Sequence, residues 1–548
     1  MLHFSTLRNT RLSLSPEGIA VVLAVYFALS LNTSLWSALH SSLIDPAKNA
    51  DYTAFFATGL GLTSFQTVLL CLLLWGKQAR WIGALLAVIT SALHYFSQQY
   101  GTVYNPSMMT NILSTDWREA HEYLGWPLIV HITTFGVLPA LALLRFSLIE
   151  RQTIRHAIRR KILFVLGAVV ITAICIASHY GTLAAVSRNN ISLRYSILPT
   201  SPILSTLRLV TSAAASPHPA TNQPIDSLAT RGISSHQRPL MLVLVVGETV
   251  RAANWQLSGY QRPTTPNLAT MPSNTLFNAP YAESCGTSTE VSVPCMFSIL
   301  GRRLYDRREI TKSESVVEML SRIGIQTYWI DNQSGCKGVC DNLSTSAETE
   351  TLRQSLAAAN EYDDWLVTAA ARVYDKVNAD TLIVLHTLGN HGPAYFLRYP
   401  ETSAAFSPAC KDPSFKACSK EEIENAYDNA IQHTDELLFR TISWLKTVKT
   451  HDVALLYVSD HGESLGESGM YLHGLPYVIA PNTQKRVPFV LWIPQDVQDR
   501  RKIDAKCLSG KFNRALSHDN LPHSLLGIFN IDSTVYERSL DLFDGCHA

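Results

Sequence analysis

The sequence has 548 residues, of which 47% are hydrophobic and 16% are charged, and its 45 basic and 44 acidic residues give a formal net charge of +1. The length leaves room for more than one domain, and the hydrophobic share is high for a purely soluble protein. A single small soluble domain is therefore excluded, and we expect membrane segments beside a globular part.

Five apolar runs in the first third of the chain predict membrane-spanning helices, because a helix needs about 20 apolar residues to cross the hydrocarbon core. The third run is the weakest, since it is short and carries His94. A cleaved signal peptide is the alternative for the first run, but that run is too long and further spans follow it. The runs are Gly18 to Leu39, Phe55 to Trp75, Trp81 to Phe96, Trp126 to Leu144 and Ile162 to Thr182.

Basic residues between the runs predict the orientation of the chain. Two connections, on one side, hold only Lys48 and Arg118. By the positive-inside rule the N-terminus is cytoplasmic and everything after about residue 182 is outside. The basic residues of the cytoplasmic side are Arg8, Arg11, Lys77, Arg80, Arg145, Arg151, Arg155, Arg159, Arg160 and Lys161.

The ten cysteines divide at the same boundary. Cys71 and Cys175 lie within predicted spans, and the other eight lie in the exterior part, where an even number indicates disulfides. Zinc-binding thiolates are the alternative, but the closest pair has no second Cys-x2-Cys or His pair beside it. Local spacing suggests three pairs and leaves the fourth by elimination: Cys285 with Cys295, Cys336 with Cys340, Cys410 with Cys418, and Cys507 with Cys546.

Residues 183–240 have a different texture from the segments on either side. The first half mixes apolar and basic residues and could lie along the membrane or the soluble domain, and the second half is rich in Ala, Ser and Pro, as linkers are. We therefore predict a transmembrane domain over 1–182, a bridging segment and linker over 183–240, and an exterior domain over 241–548.

From residue 241 onward, short apolar runs alternate with helical stretches, which predicts an α/β domain on a mostly parallel sheet. Four runs end in polar or metal-binding residues: 241–249, 325–333, 381–392 and 453–464. Ligands of open α/β sheets bind beyond the carboxyl ends of the strands. That edge would gather Glu248, Asn332, His386, His391, Asp460 and His461.

Carboxylate and imidazole side chains without thiolates suit a catalytic Zn²⁺. The stretch ESCGTSTEVSVPC, residues 283–295, adds three consecutive hydroxyl residues to this set: Thr287, Ser288 and Thr289. A hydroxyl is a poor nucleophile at neutral pH, but a nearby metal ion activates it. The residues after Thr289 could open a helix, whose N-terminus would favour a phosphate.

The motifs GET at 247–249, SCGTST at 284–289, HTLGNHGP at 386–393 and SDHGESLGESGMYLHG at 459–474 resemble the membrane-bound phosphoethanolamine transferases of Gram-negative bacteria. The resemblance is closest to the branch that modifies lipid A and confers polymyxin resistance. It implies an alkaline phosphatase and sulfatase type of fold for the exterior domain, which would be periplasmic, on a multi-pass protein of the inner membrane.

The resemblance also implies roles for individual residues. Thr289 matches the nucleophile, and Glu248, Asp460 and His461 match the ligands, with Thr289, of one tightly bound Zn²⁺. His391 and His473 match residues that bind the transferred phosphate or a second, looser Zn²⁺. His386, Asn332 and Lys337 match positions lining the same pocket, and Glu463 belongs to the motif without a clear role.

A further motif, MTNILSTDWREA at 109–120, is similar to the family's exterior connection between the third and fourth spans. It places Asn111, Thr115 and Glu119 at i, i+4 and i+8, on one face of a helix. By resemblance these residues hold the ethanolamine end of the substrate. The alternative is a solvated polar helix face.

The implied reaction moves phosphoethanolamine from phosphatidylethanolamine to Thr289 and then to a phosphate of lipid A in lipopolysaccharide. The protein would act at the membrane, as a monomer and without nucleic acid. Rival functions are transfer to a core sugar, periplasmic glucan or protein glycan, hydrolysis as a phosphatase or phosphodiesterase, and binding without turnover. A sulfatase would need a Cys or Ser in a C/S-x-P-x-R context, which neither CGTST nor SVPCM supplies.

Overall fold

The protein is described from a computed structural model. The described residues are 13–44, 51–115, 117–148, 153–189, 191–215, 222–232, 238–357 and 362–547. The chain packs as two compact units. The membrane unit comprises Met1–Met109 and Tyr123–Val210, and the catalytic unit comprises Thr110–Glu122 and Thr211–Ala548. The bridging segment predicted from sequence is thus divided between the two units at residue 210.

The membrane unit is helical. Four of its helical stretches are long and apolar enough to cross a membrane: Tyr52–Leu73, Gly76–Tyr100, Trp126–Arg145 and Ile154–Ser178. A bent pair at the start of the described chain makes a fifth if it forms one span. The helices between residues 13 and 215 are α1 Pro16–Ser30, α2 Thr33–Leu43, α3 Tyr52–Leu73, α4 Ala79–Tyr100, α5 Pro106–Ser114, α6 Trp117–Glu122, α7 Trp126–Ile132, α8 Leu138–Arg145, α9 Ile154–Ser178, α10 Tyr180–Asn189 and α11 Thr200–Ala215.

The first predicted span, 18–39, is bent by 57° between α1 and α2. Asn32 lies at the bend, and its side-chain amide donates to the carbonyl oxygens of Phe27 and Leu198 at 2.8 and 2.7 Å. The indole of Trp36 donates to the carbonyl oxygen of Ala28. Side chains thereby satisfy backbone groups that the break leaves without helical partners, as a kink inside a membrane requires.

The other spans differ from the predicted ones mainly at their ends. The weak third run extends to 22 residues in α4, since the flanking residues continue the helix. The fourth contains a π-helical turn over Thr133–Val137. The fifth starts earlier and ends at Ser178, and Lys161 in it donates to the carbonyl oxygens of Cys71 and Leu74 on α3.

The catalytic unit is built on a six-stranded sheet. Its strands are β1 Leu240–Gly247, β2 Leu276–Asn278, β3 Gln326–Asp331, β4 Thr381–His386, β5 Asp452–Ser459 and β6 Phe489–Trp492, in the order β2-β6-β5-β1-β4-β3. The four strands β5, β1, β4 and β3 are mutually parallel, whereas β6 runs antiparallel to both of its neighbours. The sheet is therefore mixed, and a sequence pattern of apolar runs could not show the reversed strand.

The parallel strands lie in the centre of the catalytic unit. All residues of β1, β4 and β5 are buried, as expected for strands with helices on both faces of a sheet. The helices of this part are α12 Thr289–Met296, α13 Arg307–Lys312, α14 Val316–Arg322, α15 Ser346–Leu356, α16 Trp365–Tyr374, α17 Lys420–Leu445, α18 Asn482–Lys485, α19 Gln495–Arg501, α20 Ala505–Phe512 and α21 Asn520–Ile528.

A small three-stranded sheet lies next to the start of α12. Its central strand, Ala282–Glu283, pairs with Arg486–Val487 and Leu516–Ser517. Four disulfides connect the same pairs that spacing suggested: Cys285–Cys295, Cys336–Cys340, Cys410–Cys418 and Cys507–Cys546. The small sheet and the first disulfide hold both ends of the hydroxyl-rich loop.

Candidate active site

The carboxyl ends of β1 and β5 place three ionisable side chains together. The two strands are parallel neighbours, with Gly247 opposite Ser459, so Glu248 and Asp460 follow at the same edge. Glu248, Asp460 and His461 are fully buried. Their ligand-capable atoms all lie within 4.8 Å of one another. Two strands more than 200 residues apart thus form one cluster.

The hydroxyl-rich loop brings Thr289 to this cluster as the first residue of α12. Its Oγ1 lies 3.1 Å from Oε2 of Glu248 and 3.3 Å from Nε2 of His461. The other two hydroxyls of the loop point elsewhere. Thr287 donates to the carbonyl oxygen of Leu475, and the Ser288 oxygen is buried with no hydrogen-bond partner among the described residues.

The loop is held against β5 by buried hydrogen bonds. Ser292 donates to the carbonyl oxygen of Asp460 at 2.5 Å and accepts from the amide of Gly286. Nδ1 of His518 accepts from the amide of Cys285 at 3.1 Å, and its Nε2 donates to the carbonyl oxygen of Ser459. The position of the nucleophile loop relative to β5 is therefore fixed by backbone contacts on both sides.

The donors of the cluster fit a metal ion. One carboxylate oxygen of Asp460, Oδ2, is buried without a hydrogen-bond partner among the described residues, although its other oxygen accepts two backbone amides. The ring of His461 donates from Nδ1 to the carbonyl oxygen of Gly462, which leaves Nε2 with a lone pair toward the cluster. Metal-bound histidines typically have such a partner on the other ring nitrogen.

Electrostatics give the same indication. Burial, and then the charge of Glu248, raise the pKa of Asp460, while the neighbouring histidines lower the pKa of Glu248 against the effect of burial. The ion pairs that the structure describes for these two carboxylates involve only His461. Two adjacent buried carboxylates need a cation, and two oxygens with one imidazole and a hydroxyl match the ligands of catalytic Zn²⁺.

His473 and His391 extend the cluster. The ring of His473 lies 4.3 Å from that of His461, and the His391 ring lies 6.0 Å from that of His473, centroid to centroid. Nδ1 of His473 contacts the buried carboxylate of Glu463 at 3.3 Å. Glu463 in turn accepts from the Tyr395 hydroxyl at 3.1 Å. The motif residue whose role was unclear therefore orients a histidine.

The other predicted pocket residues form a separate group around β3 and β4. His386 donates from Nδ1 to Asp331 at 2.6 Å, and its Nε2 is buried without a partner among the described residues. The Asn332 side chain donates to Asp363 at 2.8 Å. Lys337 donates from Nζ to Ser334. Hydrogen bonds thus account for these side chains, and no contact of theirs with the Thr289 cluster is described.

The segment 110–122 belongs to the catalytic unit although it lies between two spans in the chain. The side-chain oxygen of Asn111 is buried without a partner among the described residues, and the hydroxyl of Thr115 donates to the backbone of Asn111. The side chain of Glu119, the third predicted residue of this motif, lies outside the described residues.

Sequence reasoning missed the residues that support the site. Asp331 and Asp363 lie at or after strand ends, but a single acidic residue there has no distinguishing pattern. His518 is an isolated histidine far along the chain, and Tyr395 lies in a loop between other aromatic residues. Their partners are remote in sequence, so only the fold reveals these contacts.

Comparison with known proteins assigns the chain. Residues 241–531 match the Sulfatase family, and residues 62–214 match the family described as phosphoethanolamine transferase EptA/EptB. Phosphoethanolamine transferase EptA of Escherichia coli K12 is 33% identical over 531 residues, which cover 95% of this chain and 95% of EptA. The chain belongs to the phosphoethanolamine transferase family. The resemblance inferred from the motifs is confirmed.

Two more proteins are similar to this transferase over nearly its whole length. Phosphatidylethanolamine transferase Mcr-1 of Escherichia coli is 33% identical over 540 residues, covering 95% of this chain and 96% of Mcr-1. The integral membrane protein lipooligosaccharide phosphoethanolamine transferase A of Neisseria meningitidis superposes with a TM-score of 0.91 at 29% identity, covering 98% of this chain and 99% of that one. The prediction of a transferase enzyme with membrane helices and a sulfatase-like domain is confirmed.

Proposed function

We propose that this transferase moves phosphoethanolamine from phosphatidylethanolamine to a phosphate of lipid A through a phosphothreonine at Thr289. One contact set carries the proposal: a hydroxyl at the start of a helix lies within 3.3 Å of a buried carboxylate and of a buried imidazole. A binding protein needs no hydroxyl at such a position. The relatives named as transferases of phosphoethanolamine, phosphatidylethanolamine and lipooligosaccharide support the substrates.

Glu248, Asp460, His461 and Thr289 are the residues that would hold a Zn²⁺ ion. Bound there, the ion would lower the pKa of the threonine hydroxyl and offset negative charge on the phosphoryl oxygens. A second, looser ion would fall to His391 and His473. The unpartnered Oδ2 of Asp460 and the converging donors support this set.

In the first half-reaction, Oγ1 of Thr289 attacks the phosphorus of phosphatidylethanolamine. The bond from oxygen to phosphorus forms as the bond from phosphorus to the glycerol oxygen breaks, and diacylglycerol leaves. The amide end of α12 faces the phosphate with a positive dipole. The departing oxygen needs a proton, and His473, oriented by Glu463, is the ionisable group beside the cluster that can supply one.

In the second half-reaction, a phosphate oxygen of lipid A attacks the phosphothreonine and releases Thr289. His473 and His391 would hold the transferred phosphate in both steps. Asn111 would accept a hydrogen bond from the ethanolammonium group, because its buried side-chain oxygen has no described protein partner. Thr115 and Glu119 would complete that subsite, and His386, Asn332 and Lys337 would line the pocket.

Both substrates are amphiphiles, so attachment to spans confines the site to the membrane and raises the effective substrate concentration. We propose a location in the bacterial inner membrane, with the N-terminus in the cytoplasm and the catalytic unit in the periplasm. Placing a cationic amine on lipid A would weaken the attraction of cationic peptides, as expected for a polymyxin-resistance enzyme. Transfer to another periplasmic glycan is the second candidate.

Trapping the covalent intermediate tests the chemistry. The full-length protein is incubated in detergent with phosphatidylethanolamine and without acceptor, and the peptide around Thr289 is analysed by mass spectrometry. We expect an increment of one phosphoethanolamine on Thr289, absent after chelation and restored by Zn²⁺. Thr287→Ala is the matched control and should still be labelled. Modification of another residue, or equal labelling in Thr289→Ala, would contradict the mechanism.

A further inference from the structure

The segment 110–122 reaches the active-site loops through a single buried ion pair among its described contacts. The carboxylate of Glu122, at the end of α6, pairs with the guanidinium of Arg398. Their side chains are only 11% and 4% exposed. Both residues lie in the catalytic unit. An ion pair so shielded from water is weakly screened by salt and fixed in geometry.

Arg398 also binds the loop that carries His391. Its Nε donates to the carbonyl oxygen of His391 at 2.7 Å, while its Nη2 donates to Glu122. The guanidinium is planar and presents its donors in a fixed arrangement, so one side chain sets the distance between the two partners. A lysine, with a single ammonium group on a flexible stem, could not reproduce this bridge.

We propose that Glu122 and Arg398 form a positioning pair, which holds the 110–122 segment at a fixed distance from His391. The inference rests on the proposed function, in which Asn111 on this segment binds the ethanolamine and His391 binds the phosphate of the same donor. Glu122 and Arg398 touch neither group. Their role is to keep the two subsites at the spacing that one phosphoethanolamine headgroup requires.

General energetics favour this role over simple stabilisation. A buried ion pair often adds little net stability, because the cost of removing both charges from water offsets their attraction. Its value lies in geometry, and a displacement of about 1 Å at a substrate-binding group can lower activity by about a hundredfold. The expected sign of a loosened segment is therefore poor recognition of the amine, with the phosphate chemistry retained.

Two donors separate recognition of the amine from the chemistry. Phosphatidylethanolamine is compared with phosphatidylpropanol, in which a methyl group replaces the ammonium, using the full-length protein in detergent and lipid A as acceptor. In Glu122→Gln and in Arg398→Lys we expect KM for phosphatidylethanolamine to rise about tenfold or more. The kcat/KM for phosphatidylpropanol should stay as in the unmodified protein, so the preference for the amine collapses. The double variant should lose no more than either single one.

The exposed pair Glu350–Arg353 provides the matched control, since Glu350→Gln breaks an ion pair of similar chemistry on the surface of α15. Its donor preference should not change. An unchanged preference in Glu122→Gln and Arg398→Lys, or an equal loss on both donors with a lowered melting temperature, would overturn the inference. If the unmodified protein transfers nothing from phosphatidylethanolamine, the proposed function itself fails, which is a distinct result.

Discussion

Thr289, Thr287 and Ser288 are chemically similar neighbours, and the fold separates them. Thr287 donates to a backbone carbonyl of Leu475, whereas Thr289 lies against Glu248 and His461. The sequence could select Thr289 only by resemblance, because spacing alone treats the three hydroxyls equally. The contacts give an independent physical reason for the same choice.

His518 makes a residue-scale prediction about pH. Burial lowers its pKa to about 3, and the ring must stay neutral because Nδ1 accepts from the amide of Cys285. The unfolded chain binds a proton near pH 6.5 and the folded chain does not, so stability is lost as pH falls from 6.5 toward 3. Between pH 7 and pH 4 the loss from this group should be about 3 kcal/mol.

Urea unfolding of the full chain at the two pH values, compared with His518→Asn, isolates this contribution. The variant is expected to be less stable at pH 7, since it loses contacts to Cys285 and Ser459. Its disadvantage should shrink as pH falls, because it has no imidazole to protonate. A constant difference between the two proteins would show that His518 does not titrate as inferred.

At the scale of elements, the nucleophile loop is held between the strand Ala282–Glu283 and α12 and closed by Cys285–Cys295. Removing this disulfide with Cys285→Ala and Cys295→Ala should lower stability by about 3 kcal/mol through the entropy of a short ring. We expect kcat to fall as well, by about tenfold or more, because Thr289 is no longer preorganised.

The disulfide Cys507–Cys546 is the control, since it closes a longer ring of sequence separation 39 and joins α20 to the C-terminal residues. Its removal should lower stability by somewhat more, about 4 kcal/mol. Its kcat should remain that of the unmodified protein. Equal effects of the two removals on kcat would mean that the nucleophile loop needs no covalent closure.

Elements were predictable where one local pattern determines them. Apolar runs located the spans and the parallel strands, and polar residues after β1, β4 and β5 located the site. The bend at Asn32, the π-helical turn at Thr133–Val137 and the reversed strand β6 were not predictable. Each depends on partners far along the chain, as Asn32 depends on Leu198.

At the scale of the whole molecule, the chain joins a helical membrane unit to a catalytic unit that includes a short segment from between two spans. The sequence predicted the two parts and their order. It could not assign residues 110–122 to the catalytic unit, because a helix of six or nine residues with mixed polarity has no pattern that selects a partner. The ion pair with Arg398 makes the assignment.

The most direct test of the central claim is the mass spectrum of lipid A from cells that express the full chain, with Thr289→Ala and Thr287→Ala as the two variants. We predict a mass increment of one phosphoethanolamine on lipid A with the unmodified protein and with Thr287→Ala, and none with Thr289→Ala. Unmodified lipid A, with phosphoethanolamine found on another glycan, would contradict the proposed acceptor. Modification that persists in Thr289→Ala would contradict the proposed nucleophile.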